Sequence, residues 1–237
     1  MKSPLPKGIL LDLDDTILDG SGTIEACWRY ACHACQPEAA VGPETLYQAI
    51  ERTRQSFWSD PERHRVGRLD LLAAARTIVA QALTEVSVPN PELAATIAAT
   101  YGRKRVELLE PFPDAIDTVR WLREQGCRLA LVTNGAASMQ RDKVTRFGLT
   151  DLFDWIGIEG ELGFGKPDPR VYTRALQELG VTAADAWMVG DHIEFDVDHP
   201  QRMGITGIWI DAAGAGLPAG SPVRPDRIVR RLSDLRA

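Results

Sequence analysis

The chain is predicted to be an α/β protein, with a doubly wound parallel sheet and an inserted helical domain. Three observations support this fold class. Short apolar runs recur along the chain and end in polar clusters, as buried parallel strands do at the edge of a sheet. Strands and helices alternate after Pro113. Between Thr23 and Leu109, apolar residues recur at the three- and four-residue steps of helices.

The predicted core elements follow this alternation in chain order. Gly8–Leu11 is a compact apolar strand. The later elements are helix 114–125, strand 128–133, helix 137–147, strand 155–158, helix 168–179, strand 186–190 and strand 205–210, then a short strand running into a helix between Asp226 and Leu235. Strands that alternate with helices predict a parallel sheet.

Four helices are predicted in the inserted stretch, near residues 23–35, 43–58, 68–86 and 90–107. Prolines separate them, and Pro111-Phe112-Pro113 marks the return to the sheet. The predicted domains are therefore a core over residues 1–20 and 110–237 and a helical unit over 21–109.

The composition is that of an ordinary globular chain. The 237 residues carry a formal net charge of −6 and a pI near 5.3, which argues against nucleic acid as a partner because phosphate backbones require a basic surface. No apolar stretch approaches the ~20 residues that cross a bilayer. Residues 1–4, followed by Pro6, lack a signal-peptide core. We therefore expect a cytoplasmic protein with no membrane partner.

Three carboxylates follow the first predicted strand within four residues: Asp12, Asp14 and Asp15. Their mutual repulsion predicts a bound cation, and Mg²⁺ takes a few carboxylates together with water and substrate phosphate. Asp12 and Asp14 lie two residues apart and share a side of an extended segment, so one can attack while the other transfers protons. The alternative is a solvated acidic turn or a helix N-terminus.

The second cluster is Thr133-Asn134-Gly135, directly after an apolar run. Its hydroxyl and backbone N–H groups suit a phosphoryl oxygen. A Thr that ends a strand before an Asn-Gly turn is also ordinary, so the structural alternative stays open.

The third cluster places Lys166 on a loop whose shape is set by neighbouring glycines and prolines. Asp168-Pro169 predicts the start of the next helix. A fixed ammonium there can hold a carboxylate nucleophile and a phosphoryl group together. The alternative is a surface lysine.

In the fourth cluster Asp191 follows an apolar strand, and Asp196 lies five residues later, near enough to support Asp191 or a metal-bound water. The alternative is a solvated acidic loop. Zinc is disfavoured, because His192 and His199 are seven residues apart and no cysteine is near. We expect His192 to line the pocket or to cap the following helix.

Three of the four cysteines, Cys27, Cys32 and Cys35, lie close together in a predicted helix. Their spacing matches no zinc pattern with a fourth ligand, and Cys127 is far away in the sequence. We expect buried thiols rather than a metal cluster or disulfides.

The order of the four clusters resembles that of the haloacid dehalogenase (HAD) superfamily, whose loops carry DxD, then Thr or Ser, then Lys, then an acidic pair. The matching residues are Asp12 and Asp14, Thr133, Lys166, and Asp191 with Asp196. The resemblance covers residues 8 to about 231. It implies a Rossmann-like catalytic core, with the helical unit as a cap between the first two motifs that closes over the crevice.

By this resemblance the chain is a phosphatase that forms an aspartyl phosphate. Asp12 would attack phosphorus, and Asp14 would protonate the leaving alkoxide and then activate water. Thr133, the Asn134 backbone and Lys166 would hold the phosphoryl group.

The resemblance also implies Mg²⁺, bound by Asp12, Asp191 and the main-chain carbonyl of Asp14, with Asp196 in support. Asp15 stands where Gly is common in the family, which removes no catalytic group. The segment after Asp196 replaces the usual small residues and alters the wall of the site.

The dehalogenases of this family resemble the same pattern without the second Asp, because halide leaves without a proton. Asp14 therefore favours phosphate-ester hydrolysis over cleavage of a carbon–halogen bond. Beside a Mg²⁺-dependent phosphomonoesterase, the alternatives are a phosphomutase with the same four loops, a haloacid dehalogenase, and a non-enzymatic module that binds Mg²⁺.

The expected substrate is a small phosphorylated metabolite, such as a sugar phosphate, a nucleotide or a phosphoglycolate-like acid. One group in the helical unit is a candidate for an anionic substrate, with a solvated helix face as the alternative; it comprises Arg52, Trp58, Arg63, His64, Arg65 and Arg68. A monomer or a homodimer is expected.

Overall fold

The computed structural model describes residues 5–38 and 40–236. Residues 1–4, on which the prediction about a signal peptide falls, lie outside the described residues, as do Ala39 and Ala237. Two compact units make up the chain, one with residues up to Asp19 and from Glu110 onward, the other with Gly20–Leu109. The roles of these units as catalytic core and cap stay a prediction.

The first unit is built on one parallel sheet. Its strands within the described ranges are β1 (Gly8–Leu11), β2 (Arg128–Thr133), β3 (Trp155–Ile158), β4 (Ala186–Gly190), β5 (Thr206–Ile210) and β6 (Arg227–Val229). They lie in the order β3-β2-β1-β4-β5-β6, so the strand order reverses between β1 and β4. All four residues of β1 are buried, as its apolar run predicts. The predicted doubly wound parallel sheet is confirmed.

The second unit is helical. Among its described residues the helices are α1 (Ile24–Ala34), α2 (Pro43–Ser59), α3 (Pro61–Gly67), α4 (Leu71–Glu85) and α5 (Pro91–Leu108). Four of these correspond to predicted helices, whereas α3 is not predicted. Its start signal is local: the Asp60 side chain accepts a hydrogen bond from the Arg63 N–H, and Pro61 takes the first helical position.

These helices enclose a hydrophobic cluster of their own. Trp28, Ile50, Leu83 and Ile97 are buried in it, and the Trp28 ring stacks on Tyr101 with 3.6 Å between centroids.

The four cysteines are buried free thiols, as predicted. Burial raises the pKa of Cys32 to about 12, so this thiol stays protonated at neutral pH. Cys27, Cys32 and Cys35 thus act as small apolar side chains.

The helices of the first unit are α6 (Ala115–Glu124), α7 (Ala137–Arg146), α8 (Glu159–Leu162), α9 (Pro169–Leu179) and α10 (His199–Arg202). The start of α9 is the predicted one, because Asp168 caps it by accepting the Arg170 N–H at 2.9 Å. The short helices α8 and α10, and a π-helical turn at Ile193–Asp198, are not predicted because segments of four to six residues show no period. No helix in the described part of the chain has the length and apolar composition of a membrane span.

The two ends of the inserted segment lie side by side in the first unit. The Asp19 N–H donates to the Glu110 carbonyl at 2.9 Å, and Leu18 and Pro111 form an antiparallel bridge. The chain therefore leaves this unit and re-enters it through adjacent residues.

Candidate active site

Asp12 and Asp191 follow β1 and β4, the two strands between which the strand order reverses. The two strands pair directly, and the Asp12 N–H extends the ladder by donating to the Val189 carbonyl at 3.0 Å. Open parallel sheets bind ligands in the crevice at this point. The first and fourth sequence clusters therefore meet where the fold offers a site.

Lys166 joins this pair of clusters to the third. Its ammonium lies 2.7 Å from Asp12 Oδ1 and 2.6 Å from Asp196 Oδ1, and its side chain is only 4% exposed. Burial disfavours the charged ammonium, but the carboxylates of Asp12 and Asp196 outweigh it and raise the pKa of Lys166. Lys166 is thus a fixed cation beside Asp12 and not a surface lysine.

Asp12, Asp191 and Asp196 form the one group of three candidate metal ligands in the described part of the chain, with carboxylate oxygens within 4.8 Å of one another. Burial raises the pKa of Asp12 to about 7, against the opposing effect of Lys166. Burial also raises the pKa of Asp191 to about 8, with a further contribution from the charge of Asp12. Three carboxylates against one ammonium leave two negative charges when all are ionised.

Asp196 reaches this group because Gly190 has no side chain. A Cβ atom at Gly190 would lie 2.2 Å from Asp196 Oδ2. The same oxygen accepts the His192 N–H at 3.0 Å, and His192 Nδ1 accepts the Phe195 N–H at 3.2 Å. His192 therefore caps the π-helical turn, one of its two predicted roles, and the Tyr172 hydroxyl anchors the turn by donating to the Phe195 carbonyl at 2.5 Å.

The Asp14 carboxylate is held by a different set of side chains. Lys143, on α7, places its ammonium 2.7 Å from Asp14 Oδ1 and 2.8 Å from Oδ2. Gln140 Nε2 lies 2.9 Å from Asp14 Oδ2 and 2.6 Å from Thr133 Oγ1. Asp12 and Asp14 are thus bound by two different lysines, and the Asp14 side chain does not belong to the group of three. Its predicted main-chain contribution to a metal stays a prediction.

The second cluster holds the Lys166 loop. The Asn134 side chain accepts the Lys166 N–H at 2.8 Å and donates to the Lys166 carbonyl at 2.7 Å. The Gly135 N–H donates to Glu159, a buried carboxylate, at 3.0 Å. This N–H is therefore not available to a phosphoryl oxygen, contrary to expectation, because a buried carboxylate needs a donor. The predicted phosphate-binding roles of Thr133, Asn134 and Lys166 stay predictions.

The model of one protein family, haloacid dehalogenase-like hydrolase, matches residues 6–204. The chain belongs to this family. The predicted family is confirmed, and every side chain of the site described above falls within the matched range.

Relatives of this HAD hydrolase include phosphatases. The chain is 32% identical over 207 residues to a glyceraldehyde 3-phosphate phosphatase from Methanopyrus kandleri, covering 86% of this chain and 83% of the relative. It is 32% identical over 251 residues to a phosphoserine phosphatase from Thermus thermophilus, covering 97% and 96%. The predicted class of enzyme, a phosphatase of the HAD family, is confirmed.

Solved HAD structures share the fold. The chain is similar to the HAD hydrolase YfnB from Bacillus subtilis, solved with magnesium bound, with a TM-score of 0.75 and 22% identity over 98% of this chain and 97% of the other. It is also similar to a 2-haloacid dehalogenase from Pseudomonas syringae pv. tomato, with a TM-score of 0.63 and 28% identity over 98% and 97%.

The backbone explains one departure of this HAD chain from its family. Asp15 has φ +59°, in the left-handed region that glycine adopts without strain and that Asp tolerates better than most residues. Its N–H donates to the Leu18 carbonyl at 2.7 Å and closes the turn after the first motif.

Lys143, Gln140, Glu159 and Thr16 are not predicted from the sequence. Thr16 Oγ1 lies 3.2 Å from Asp12 Oδ2 and donates to it. Gln140 and Lys143 lie three residues apart on the helix after the second motif, so their shared face was a usable signal. That signal is weak, because polar residues at this spacing also cover solvated helix faces.

The basic and aromatic group of the helical unit is partly neutralised. Arg52 pairs with Glu85 and Arg65 with Glu62, while Trp58 packs against the hydrophobic cluster of its unit. Contact of this group with a substrate stays a prediction.

Proposed function

We propose that this HAD hydrolase is a Mg²⁺-dependent phosphomonoesterase that acts on a small phosphorylated metabolite through an aspartyl phosphate on Asp12. The observation that carries the proposal is the separate binding of two carboxylates two residues apart, Asp12 by Lys166 and Asp14 by Lys143. The Asp12 carboxylate belongs to the group of three acidic residues. The Asp14 carboxylate lies outside that group and pairs with Lys143. This division suits a nucleophile and a proton-transfer group.

The donor set fits Mg²⁺. Asp12, Asp191 and Asp196 offer hard carboxylate oxygens within 4.8 Å of one another, and their charge exceeds that of Lys166 by two. Asp12, Asp191 and the Asp14 carbonyl would hold the ion, with Asp196 beside them. A bound Mg²⁺ ion would reduce the repulsion between the carboxylate nucleophile and the phosphoryl oxygens.

The first step transfers the phosphoryl group to Asp12. An Asp12 carboxylate oxygen forms a bond to phosphorus while the bond from phosphorus to the ester oxygen breaks. Asp14 enters this step protonated and gives its proton to the departing oxygen, so the alcohol leaves neutral. Lys166, Thr133 and the Asn134 backbone hold the phosphoryl oxygens.

The second step hydrolyses the aspartyl phosphate and regenerates the Asp12 carboxylate. Asp14, now a carboxylate, takes a proton from water as the water oxygen bonds to phosphorus. The bond between phosphorus and Asp12 breaks, which releases inorganic phosphate. Asp14 ends the cycle protonated and Asp12 ends it ionised, so atoms and charge balance.

A haloacid dehalogenase is the less favoured function, although one such enzyme shares the fold and 28% of the sequence. Displacement of halide needs no general acid, so Asp14, held by Lys143 and Gln140, would have no role in that reaction. A phosphomutase would keep the phosphoryl group on the product, and a non-enzymatic Mg²⁺-binding module would turn over no ester.

The relatives named above support the proposed substrate class. They act on glyceraldehyde 3-phosphate and on phosphoserine, both small phosphate esters of alcohols. A ligand of this kind suits the proposed chemistry, because an alkoxide leaving group needs the proton from Asp14. A cytoplasmic location and a monomer or homodimer stay predictions.

A screen of phosphorylated metabolites with Mg²⁺ and with EDTA tests the function. We expect release of inorganic phosphate only with Mg²⁺, and we expect Asp12→Asn to abolish hydrolysis of p-nitrophenyl phosphate while the protein still folds. Asp151→Asn, the same change at an exposed residue, is the control and should leave turnover unchanged. Unchanged turnover in Asp12→Asn would contradict the assigned nucleophile, and transfer of phosphate to a second substrate position would identify a mutase.

A further inference from the structure

We propose that Lys143 is a positioning residue for the reaction, which fixes the Asp14 carboxylate so that Oδ1 carries out the proton transfers. This role rests on the proposed function, and it concerns a residue outside the four sequence clusters. Lys143 comes 129 positions after Asp14 in the chain and lies on α7.

The geometry assigns different duties to the two oxygens of Asp14. Oδ2 accepts from Lys143 at 2.8 Å and from Gln140 at 2.9 Å, which uses both of its acceptor sites. Among the described residues, Oδ1 accepts from Lys143 alone, at 2.7 Å, and keeps one acceptor site. A carboxylate bound at both oxygens cannot rotate, so the remaining site of Oδ1 points in a fixed direction.

The helix α7 contacts both Asp14, the proposed proton-transfer group, and Thr133, a proposed phosphate-binding residue. Gln140 also donates to Thr133 Oγ1 at 2.6 Å, and α7 begins three residues after Asn134. The Gln140 side chain is buried, and the Lys143 side chain is only 14% exposed. Asp14 is therefore fixed relative to the residue that is proposed to hold the phosphoryl oxygens.

The expected effect lies on the chemical step. General acid–base catalysis contributes about 10²- to 10⁴-fold, and a misplacement of about 1 Å costs about 10²-fold. Lys143→Met should therefore lower kcat by about 10- to 100-fold with KM within about 2-fold of the wild type. Lys143→Arg should restore most of the loss, because a guanidinium binds both oxygens of a carboxylate.

A double-mutant cycle with Asp14→Asn tests whether Lys143 acts through Asp14. The substrate is p-nitrophenyl phosphate, whose leaving group needs little protonation, so the Asp14→Asn enzyme still transfers the phosphoryl group and the loss in Lys143→Met reports the activation of water by Asp14. In that background Lys143→Met should change kcat by less than about 2-fold. Arg141→Met, on the same helix but paired with Glu161, is the matched control and should match the wild type.

Three results would overturn the proposal. The first is an unchanged kcat in Lys143→Met, and the second is a rise in KM of that variant with no change in kcat. The third is an equal loss of kcat when Lys143→Met is introduced into the wild type and into Asp14→Asn. Lys143→Gln is measured beside Lys143→Met, and circular dichroism melting checks both, so a folding defect in one variant does not decide the result. If the wild type hydrolyses no ester, or Asp12→Asn retains full turnover, the proposed function fails and the role of Lys143 fails with it.

Discussion

Without a divalent cation, the buried carboxyl groups of Asp12 and Asp191 should make the fold less stable as pH rises. Burial raises the pKa of Asp12 from its ordinary 3.8 to about 7. Between these two values the unfolded chain has released a proton that the folded chain still holds. The unfolded state therefore binds fewer protons, and the free energy of unfolding falls with rising pH across this window.

The size of this fall follows from the same values. A rise in the pKa of Asp12 from 3.8 to about 7 corresponds to about 4 kcal/mol. For a chain of this length that is roughly 8–16 °C in melting temperature. Asp191, whose pKa burial raises to about 8, extends the decline to about pH 8. Mg²⁺ should reverse the decline, because the ionised carboxylates of the folded state are its proposed ligands.

The assay is thermal unfolding followed by circular dichroism between about pH 5 and pH 8, in EDTA and in excess Mg²⁺. We expect the melting temperature to fall with pH in EDTA and to fall much less in Mg²⁺. Asp12→Asn, which removes one of the buried charges, should flatten the EDTA curve. Equal melting temperatures at both ends of the range in EDTA, or an Asp12→Asn curve as steep as the wild type, would refute the reasoning.

Two substitutions test the packing of the site. Lys166→Met should lower the free energy of unfolding by about 3–5 kcal/mol in urea denaturation, because it leaves buried carboxylates without their cation; a loss below about 1 kcal/mol would contradict this. Gly190→Ala should cost about 1–3 kcal/mol and weaken Mg²⁺ binding in calorimetry, because its Cβ would lie 2.2 Å from Asp196 Oδ2. Gly102→Ala, whose Cβ meets nothing within 4 Å, is the control, and an equal effect of the two substitutions would rule out this explanation.

The sequence indicates which side chains the edge of the sheet brings together, because these residues follow buried strands. Asp12, Thr133 and Asp191 each end or follow an apolar run, and parallel strands bring such ends to one edge. The same rule does not cover Lys143, which lies in the middle of a helix among other polar residues. Lys143 meets Asp14 through the packing of α7, and the shared helix face of Gln140 and Lys143 is too weak a signal to predict that contact.

The roles of Asn134 and Gly135 depend on tertiary contacts too. Both residues have the conformational freedom to face an anion, yet the Asn134 side chain binds the Lys166 backbone and the Gly135 N–H binds Glu159. Propensity indicates what a turn residue can do, and the neighbouring chain decides what it does. The helix α3 shows the local counterpart, since Asp60-Pro61 carries a start signal that its short length conceals.

The backbone hydrogen bond between Asp19 and Glu110 makes the segment between them structurally separable from the sheet. Because Asp19 and Glu110 are hydrogen-bonded neighbours, we expect the sheet to tolerate changes in the length of the segment that joins them. The entropy of closing such a loop grows only with the logarithm of its length. The segment between Asp19 and Glu110 can therefore be replaced by a different one without a change in the register of the strands.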